Sequence, residues 1–217
     1  MIHFIEDKKI LGMMRREYSD IVNRLVQNIN KDNYLKVEMQ MVGSGGRNLE
    51  TQNSNQPVDL DYNINILHIN GDINDCKKIK EYVRKQFNIA LKSKGWGDCK
   101  DSTSALTTEQ RYFKEGNQTS FSIDVAIICE SNDSWYRLIH QKTGIFQEDN
   151  WIWNEGQDSK GLTKKVNKIK KYNLWNDVRN AYLDKKNMYL KRRDYNHSSF
   201  NCYIEAVNEV YNKYFTK

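Results

Sequence analysis

From Val58 to His68 the chain alternates with a period of two. Leu60, Tyr62, Ile64 and Ile66 are apolar, and Asp59, Asp61, Asn63 and Asn65 stand between them. Side chains two apart in a strand share a face, so the segment reads as a strand with an apolar floor and a polar upper face. Asp59 and Asp61 then sit side by side on that polar face. Like charges so close repel unless a proton or cation neutralises them. Carboxylate oxygens suit a hard divalent ion, and Mg²⁺ typically takes one or two of them together with substrate phosphates. A D-x-D pair by itself is also met on the solvated face of an edge strand.

A second strand carries a third carboxylate. Thr119 to Cys129 is strongly apolar: Phe121, Ile123, Val125 and Ile127 share one face, and Asp124 lies on the other between Ser122 and Ala126. A lone Asp in such a strand is costly to bury without a partner. A metal shared with Asp59 and Asp61 supplies one, and so does a salt bridge to a nearby Lys or Arg. Upstream, Lys36 to Val42 reads as a short strand ending at Gly43-Ser44-Gly45-Gly46-Arg47. Small residues there let backbone amides approach a ligand, Ser44 can donate to a phosphate oxygen, and Arg47 can add charge-assisted bonds. The run lacks the G-K-[ST] ending of a Walker A loop and the spacing of a dinucleotide-binding fingerprint.

The remaining elements frame these three. Tyr18, Ile21, Val22, Leu25 and Ile29 recur at helical spacing, and a second helix is expected from about Asn74 to Lys92 with Ile79, Val83, Phe87 and Leu91 on one stripe. A further strand is expected near Thr103–Phe113, with a hairpin turn at Lys114–Gln118. The polar stretch from Asn48 to Pro57 has little to bury and reads as a loop. The last third is helical in character, with stripes Leu162/Val166/Ile169, Leu174/Val178/Tyr182 and Phe200/Ile204/Val207/Tyr211, the last helix capped by Ser198 or Ser199. The expected architecture is α+β: a mixed β-sheet flanked by helices over residues 1–150, then a helical C-terminal lobe over residues 151–217 packed on it.

Charge is divided unevenly. Residues 1–150 hold 20 Lys/Arg against 21 Asp/Glu, and residues 151–217 hold 14 against 7. All the excess positive charge is in the last third, which suits a polyanionic partner such as a nucleoside triphosphate or RNA, or else a solubilising helix surface. Lys185, Lys186, Arg192 and Arg193 are candidates for triphosphate or RNA contacts; Tyr189, Tyr195 and Phe200 are candidates for stacking on a base, against the plainer role of core packing. His197 is a candidate donor near a helix start. Cys76, Cys99, Cys129 and Cys202 form no C-x-x-C pair, so neither a zinc site nor a disulfide framework is expected. No stretch approaches the roughly 20 apolar residues of a membrane span, and Met1 to Lys9 lacks the apolar run of a signal peptide. A cytoplasmic protein without membrane contact is expected, and no feature signals DNA in particular.

Together, Gly43-Ser44, Asp59-Leu60-Asp61 and Asp124 resemble, in order, the motifs of the nucleotidyltransferase superfamily that includes DNA polymerase β. The Gly-Ser-x-x-Arg form looks like the bacterial branch that contains the cyclic-oligonucleotide synthases and is similar to oligoadenylate synthase. The resemblance covers residues from about 36 to 129. Arg47 is followed by Asn48-Leu49 rather than that branch's Gly-Thr, and the interval from Ser44 to Asp59 is longer. The resemblance implies a mechanism in which Asp59 and Asp61 bind two Mg²⁺ ions, for which Mn²⁺ can substitute. Asp124 would complete one site and help remove the acceptor proton. Gly43, Ser44 and Arg47 would hold the nucleotide, with Lys185 and Lys186 of the basic tail as further nucleotide-binding candidates outside the resembling segment. A nucleoside monophosphate would pass from an NTP to a hydroxyl of a nucleotide, RNA, small molecule or protein, with release of pyrophosphate by a two-metal mechanism. Two other readings stay open: a non-catalytic nucleotide- or RNA-binding module, and a partner-regulated toxin or defence component on the same fold.

Overall fold

A computed structural model of the chain describes residues 1–216 except 6, 55, 113–118, 133, 157–159 and 195–196. The expected Lys114–Gln118 turn and Tyr195 lie outside the described residues. The chain divides into two compact units. One comprises Glu6–Asn48 and Asn55–Gly156, and the other Met1–Ile5, Leu49–Ser54 and Gln157–Lys217.

The larger unit is built on β2 (Leu35–Met41), β4 (Val58–Ile69) and β7 (Phe121–Ser131), with the short strands β5 (Lys100–Asp101) and β6 (Leu106–Thr107) continuing the sheet. β2 pairs antiparallel with β4, and β4 pairs parallel with β7. β8 (Ser134–Gln141) folds back on the far end of β7, and β9 (Asn150–Glu155) pairs with β8. The parallel pairing sets Leu60, Tyr62 and Ile64 against Ile123, Val125 and Ile127. All six are at most 2% exposed. α1 (Lys8–Lys31) contributes Tyr18, Ile21, Val22, Leu25 and Ile29 to the same core, and α2 (Cys76–Lys92) contributes Ile79, Val83, Phe87 and Leu91. At roughly 1.5–3 kcal/mol per fully buried large aliphatic or aromatic side chain, this apolar floor is the main source of the unit's stability. Asp7 caps α1 by accepting from the amides of Lys9 and Ile10, which satisfies donors that have no partner within the helix.

The helical unit holds α3 (Lys160–Lys171), α4 (Trp175–Lys191) and α5 (Ser199–Phe215). Ile169, Val178, Tyr182, Ala206, Val207 and Val210 form its core, and Leu49 joins them at 1% exposure. Ser198 is the α5 cap, accepting from the Asn201 amide at 3.1 Å. The Asn48–Pro57 stretch contains a strand rather than loop alone: β3 (Thr51–Asn53) pairs antiparallel with β1 (Ile2–Phe4). Asn187 of α4 ties β1 in place, its side-chain amide exchanging bonds of 2.8 and 2.9 Å with the backbone N–H and C=O of Ile2. The expected strand at 103–113 is reduced to β6, β5 before it and one isolated bridge at Arg111. No described helix is long and apolar enough to cross a membrane.

Candidate active site

The parallel ladder between β4 and β7 builds the site. It sets Asp61 opposite Asp124 and Asp59 opposite Ser122. Register partners share a face, so all three carboxylates stand on the side of the sheet away from the apolar floor. β6 extends the row, with Thr107 opposite Asp124. Two hydroxyls hold two of the acids. Ser122 Oγ donates to Asp59 Oδ1, and Thr107 Oγ1 donates to Asp124 Oδ1 at 2.6 Å.

The electrostatics of the row are unfavourable to full ionisation. Burial pushes the Asp61 carboxyl up to about 6, and the charges of Asp124 and Asp59 add to the shift; Arg137 and Arg47 oppose it. Burial also raises Asp124, with Asp59 adding and the Thr107 hydrogen bond opposing. No described residue makes an ion pair with Asp59, Asp61 or Asp124. The salt-bridge alternative for Asp124 is therefore not what the structure contains. Arg137 on β8 faces the same region: burial lowers its guanidinium, the charge of Asp61 opposes that, and its buried Nε has no hydrogen-bond partner.

The turn after β2 adjoins Asp61. The Val42 amide donates to the Asp61 carbonyl at 2.8 Å. Gly43 has φ +60°, and a Cβ there would lie 2.0 Å from Asp61 Oδ2. Only glycine fits so close to that carboxylate in that conformation. A single 3₁₀ turn, Gly45–Arg47, follows. It is closed by Gly46 N–H to the Val42 carbonyl at 3.0 Å and braced by Arg47 Nη1 donating to the Gly43 carbonyl at 2.6 Å. Arg15 of α1 adds a bond to the Gly45 carbonyl at 3.3 Å. Ser44 opens the turn and its side chain makes no capping bond.

The structure thus brings Gly43, Ser44, Arg47, Asp59, Asp61 and Asp124 to one region of the larger unit. Lys185 and Lys186 lie on α4 in the helical unit. Lys185 pairs with Glu209 at 2.9 Å. Lys186 Nζ donates to Thr51 Oγ1 at 2.8 Å and lies 5.4 Å from the Tyr182 ring centroid, and burial lowers its ammonium. Arg192 and Arg193 are exposed. Tyr189 donates to Glu205 and stacks on His197 at 3.6 Å between centroids. Sequence reasoning missed Thr107 and Arg137 as members of the site. Ser122 alone left a trace, two residues before Asp124 and on its face.

An all-oxygen set of carboxylates, mutually repelling and free of ion pairs, fits a hard divalent cation. Among the described residues, no three Asp, Glu, His or Cys side chains already converge closely enough to enclose an ion.

The sequence matches no family model and no curated protein sequence. The fold does match solved structures. E. coli MS115-1 CdnC with ATP superposes with a TM-score of 0.64 at 14% identity, over 97% of this chain and 62% of that one. The same CdnC in its complex with HORMA-deltaN gives 0.57 at 15% identity, over 93% and 60%. The Elizabethkingia meningoseptica CdnE cyclic dinucleotide synthase with GTP and Apcpp gives 0.52 at 11% identity, over 91% and 70%. The chain thus spans about three fifths of the length of the CdnC structures it matches. Over most of its length the chain has the α+β fold of these solved structures.

Proposed function

We propose that the protein is a divalent-metal-dependent nucleotidyltransferase that moves a nucleoside monophosphate from an NTP to a hydroxyl acceptor and releases pyrophosphate. The observation that carries this reading is the parallel register of β4 and β7, which aligns Asp61 with Asp124 and keeps Asp59 on the same face. The fold it shares with the ATP-bound CdnC and with the GTP- and Apcpp-bound CdnE supports an NTP as donor.

Asp59 and Asp61 hold the metal ions, Mg²⁺ or Mn²⁺, and Asp124 completes one of the two sites. A pair of such ions supplies Lewis-acid stabilisation of the attacking and leaving oxygens of an in-line displacement. Ser44 and the backbone of the Gly43–Arg47 turn hold phosphate oxygens beside Asp61. Arg47 keeps the turn closed and places a positive charge at its edge. Asp124, its carboxyl raised by burial, is the base nearest Asp61 for the proton of the acceptor hydroxyl.

Binding of each NTP in the presence of Mg²⁺, measured by titration calorimetry, tests the site. Wild type is expected to bind at least one NTP, and the Asp59→Ala/Asp61→Ala double variant to bind none. Equal binding by both proteins removes the carboxylates from the site. Ser44→Ala is expected to weaken binding by about 1 kcal/mol, the net worth of one hydrogen bond. Unchanged affinity in that variant takes Ser44 out of the phosphate contacts.

A further inference from the structure

The hairpin that carries Thr107 has little strength of its own. β5 and β6 join through two residue pairs, Lys100 with Thr107 and Asp101 with Leu106. β6 is held to β7 through Leu106 opposite Val125 and Thr107 opposite Asp124, and side chains hold the β5 end of the hairpin. Lys80 of α2, only 2% exposed, sits 2.6 Å from Asp101 Oδ1. Its ammonium also donates to the carbonyls of Ser102, at 2.9 Å, and Thr103, at 3.4 Å. His140 of β8, 4% exposed, places Nδ1 2.7 Å from Asp101 Oδ2 and Nε2 2.8 Å from Asp149 Oδ2. The His140 backbone amide donates to the Thr103 carbonyl at 2.8 Å, and the ring stacks on Trp151 at 4.1 Å. Residues 101–103 are thereby clamped from α2 on one side and β8 on the other.

Ser102 leaves this clamp toward the site. Its Oγ lies 3.0 Å from Thr107 Oγ1, which lies 2.6 Å from Asp124 Oδ1. The single hydroxyl hydrogen of Thr107 is committed to the carboxylate, so Thr107 must accept from Ser102. The chain has a direction, Ser102 to Thr107 to Asp124, and it occupies Oδ1. Oδ2 is left as the oxygen for a ligand.

We propose that Thr107 and Ser102 are positioning residues: their hydroxyl chain, anchored by the buried Lys80–Asp101–His140–Asp149 cluster, fixes the Asp124 carboxylate in the orientation in which its second oxygen meets a metal ion. The inference rests on the metal-dependent reading given above. Partners that orient metal ligands typically contribute 10- to 100-fold to affinity.

The test is Mn²⁺ alone titrated against the full chain, read from the electron paramagnetic resonance signal of the free ion, with melting temperature followed in parallel. Wild type is expected to bind Mn²⁺. Thr107→Val keeps the branched shape and removes the hydroxyl; it is expected to bind about 10-fold more weakly. Thr107→Ser, which keeps the hydroxyl, is expected to stay within about twofold of wild type, and Ser102→Ala to fall between the two. Two results overturn the positioning role: wild-type affinity in Thr107→Val, or a loss in Thr107→Ser as large as in Thr107→Val. Wild type that takes up no Mn²⁺ overturns the metal-dependent function itself, and this inference with it. A variant that melts below the titration temperature is replaced by Ser102→Ala, for which wild-type affinity is the overturning result.

Discussion

Replacing Asp61 by Asn is expected to abolish pyrophosphate release and at the same time to stabilise the fold at neutral pH. The two effects have one cause. Asp61 is half-buried beside two other carboxylates, and its carboxyl is pushed up to about 6, against an ordinary value near 3.9 in an unfolded chain. A raised carboxyl favours folding when protonated. Its contribution is complete below about pH 4 and is lost as pH rises through 6. At pH 7 the ionised group therefore works against folding by up to about 3 kcal/mol. Asn keeps the shape without the charge. Urea unfolding should show wild type gaining stability from pH 7 to pH 5. The variant should be more stable than wild type at pH 7 and gain less on acidification, with a residual gain from Asp124, also raised. Under the proposed metal-binding role, losing this carboxylate would remove several kcal/mol of transition-state stabilisation, about 10³-fold or more in rate. A variant less stable than wild type at pH 7 would instead make Asp61 a structural residue.

Gly43→Ala is expected to lose transfer by about 10²-fold or more through a different route. The new methyl would lie 2.0 Å from Asp61 Oδ2 and 2.8 Å from its Cγ, so either the turn or the carboxylate must move. A displacement of this size is enough to misalign reacting groups. The left-handed backbone, φ +60°, adds about 1–2 kcal/mol of strain with any Cβ. Gly95→Ala separates the two contributions: it has φ +72° and nothing within 4 Å of the added Cβ. It should lose similar stability, by urea unfolding, and keep its rate of pyrophosphate release. Equal rates in both variants and wild type would show that the approach of Gly43 to Asp61 does not matter to the chemistry.

How much of this was legible in the sequence follows from how local each signal is. β4 and β7 declare themselves by alternation, and the faces assigned to Asp59, Asp61 and Asp124 are the faces they occupy. The stripes on α1 and α2 are buried as expected, because a long amphipathic period survives any tertiary context. Short elements left no such trace. β6 is two residues long, so no period marks Thr107 as a neighbour of Asp124. β3 lies in an Asn- and Gln-rich stretch and is a strand only because β1, nearly fifty residues earlier, pairs with it. β8 and β9 mix aromatic, charged and aliphatic residues without clean alternation, and Trp151-Ile152-Trp153 opens a segment that otherwise reads as helical. The arrival of Arg137 beside the carboxylates depends on β8 folding back on β7. Leu49, in a stretch that reads as a polar loop, is a core residue of the helical unit, because a single apolar residue among polar ones leaves no period to mark it.

The most direct measurement is pyrophosphate release from each of the four NTPs with Mg²⁺, comparing wild type with the Asp59→Ala/Asp61→Ala double variant, with mass spectrometry of the nucleotide products. Release by wild type and none by the double variant is the predicted result, and the product mass identifies the acceptor. Release at equal rates from both proteins would contradict the account, because the aligned carboxylates of β4 and β7 would then have no part in the reaction.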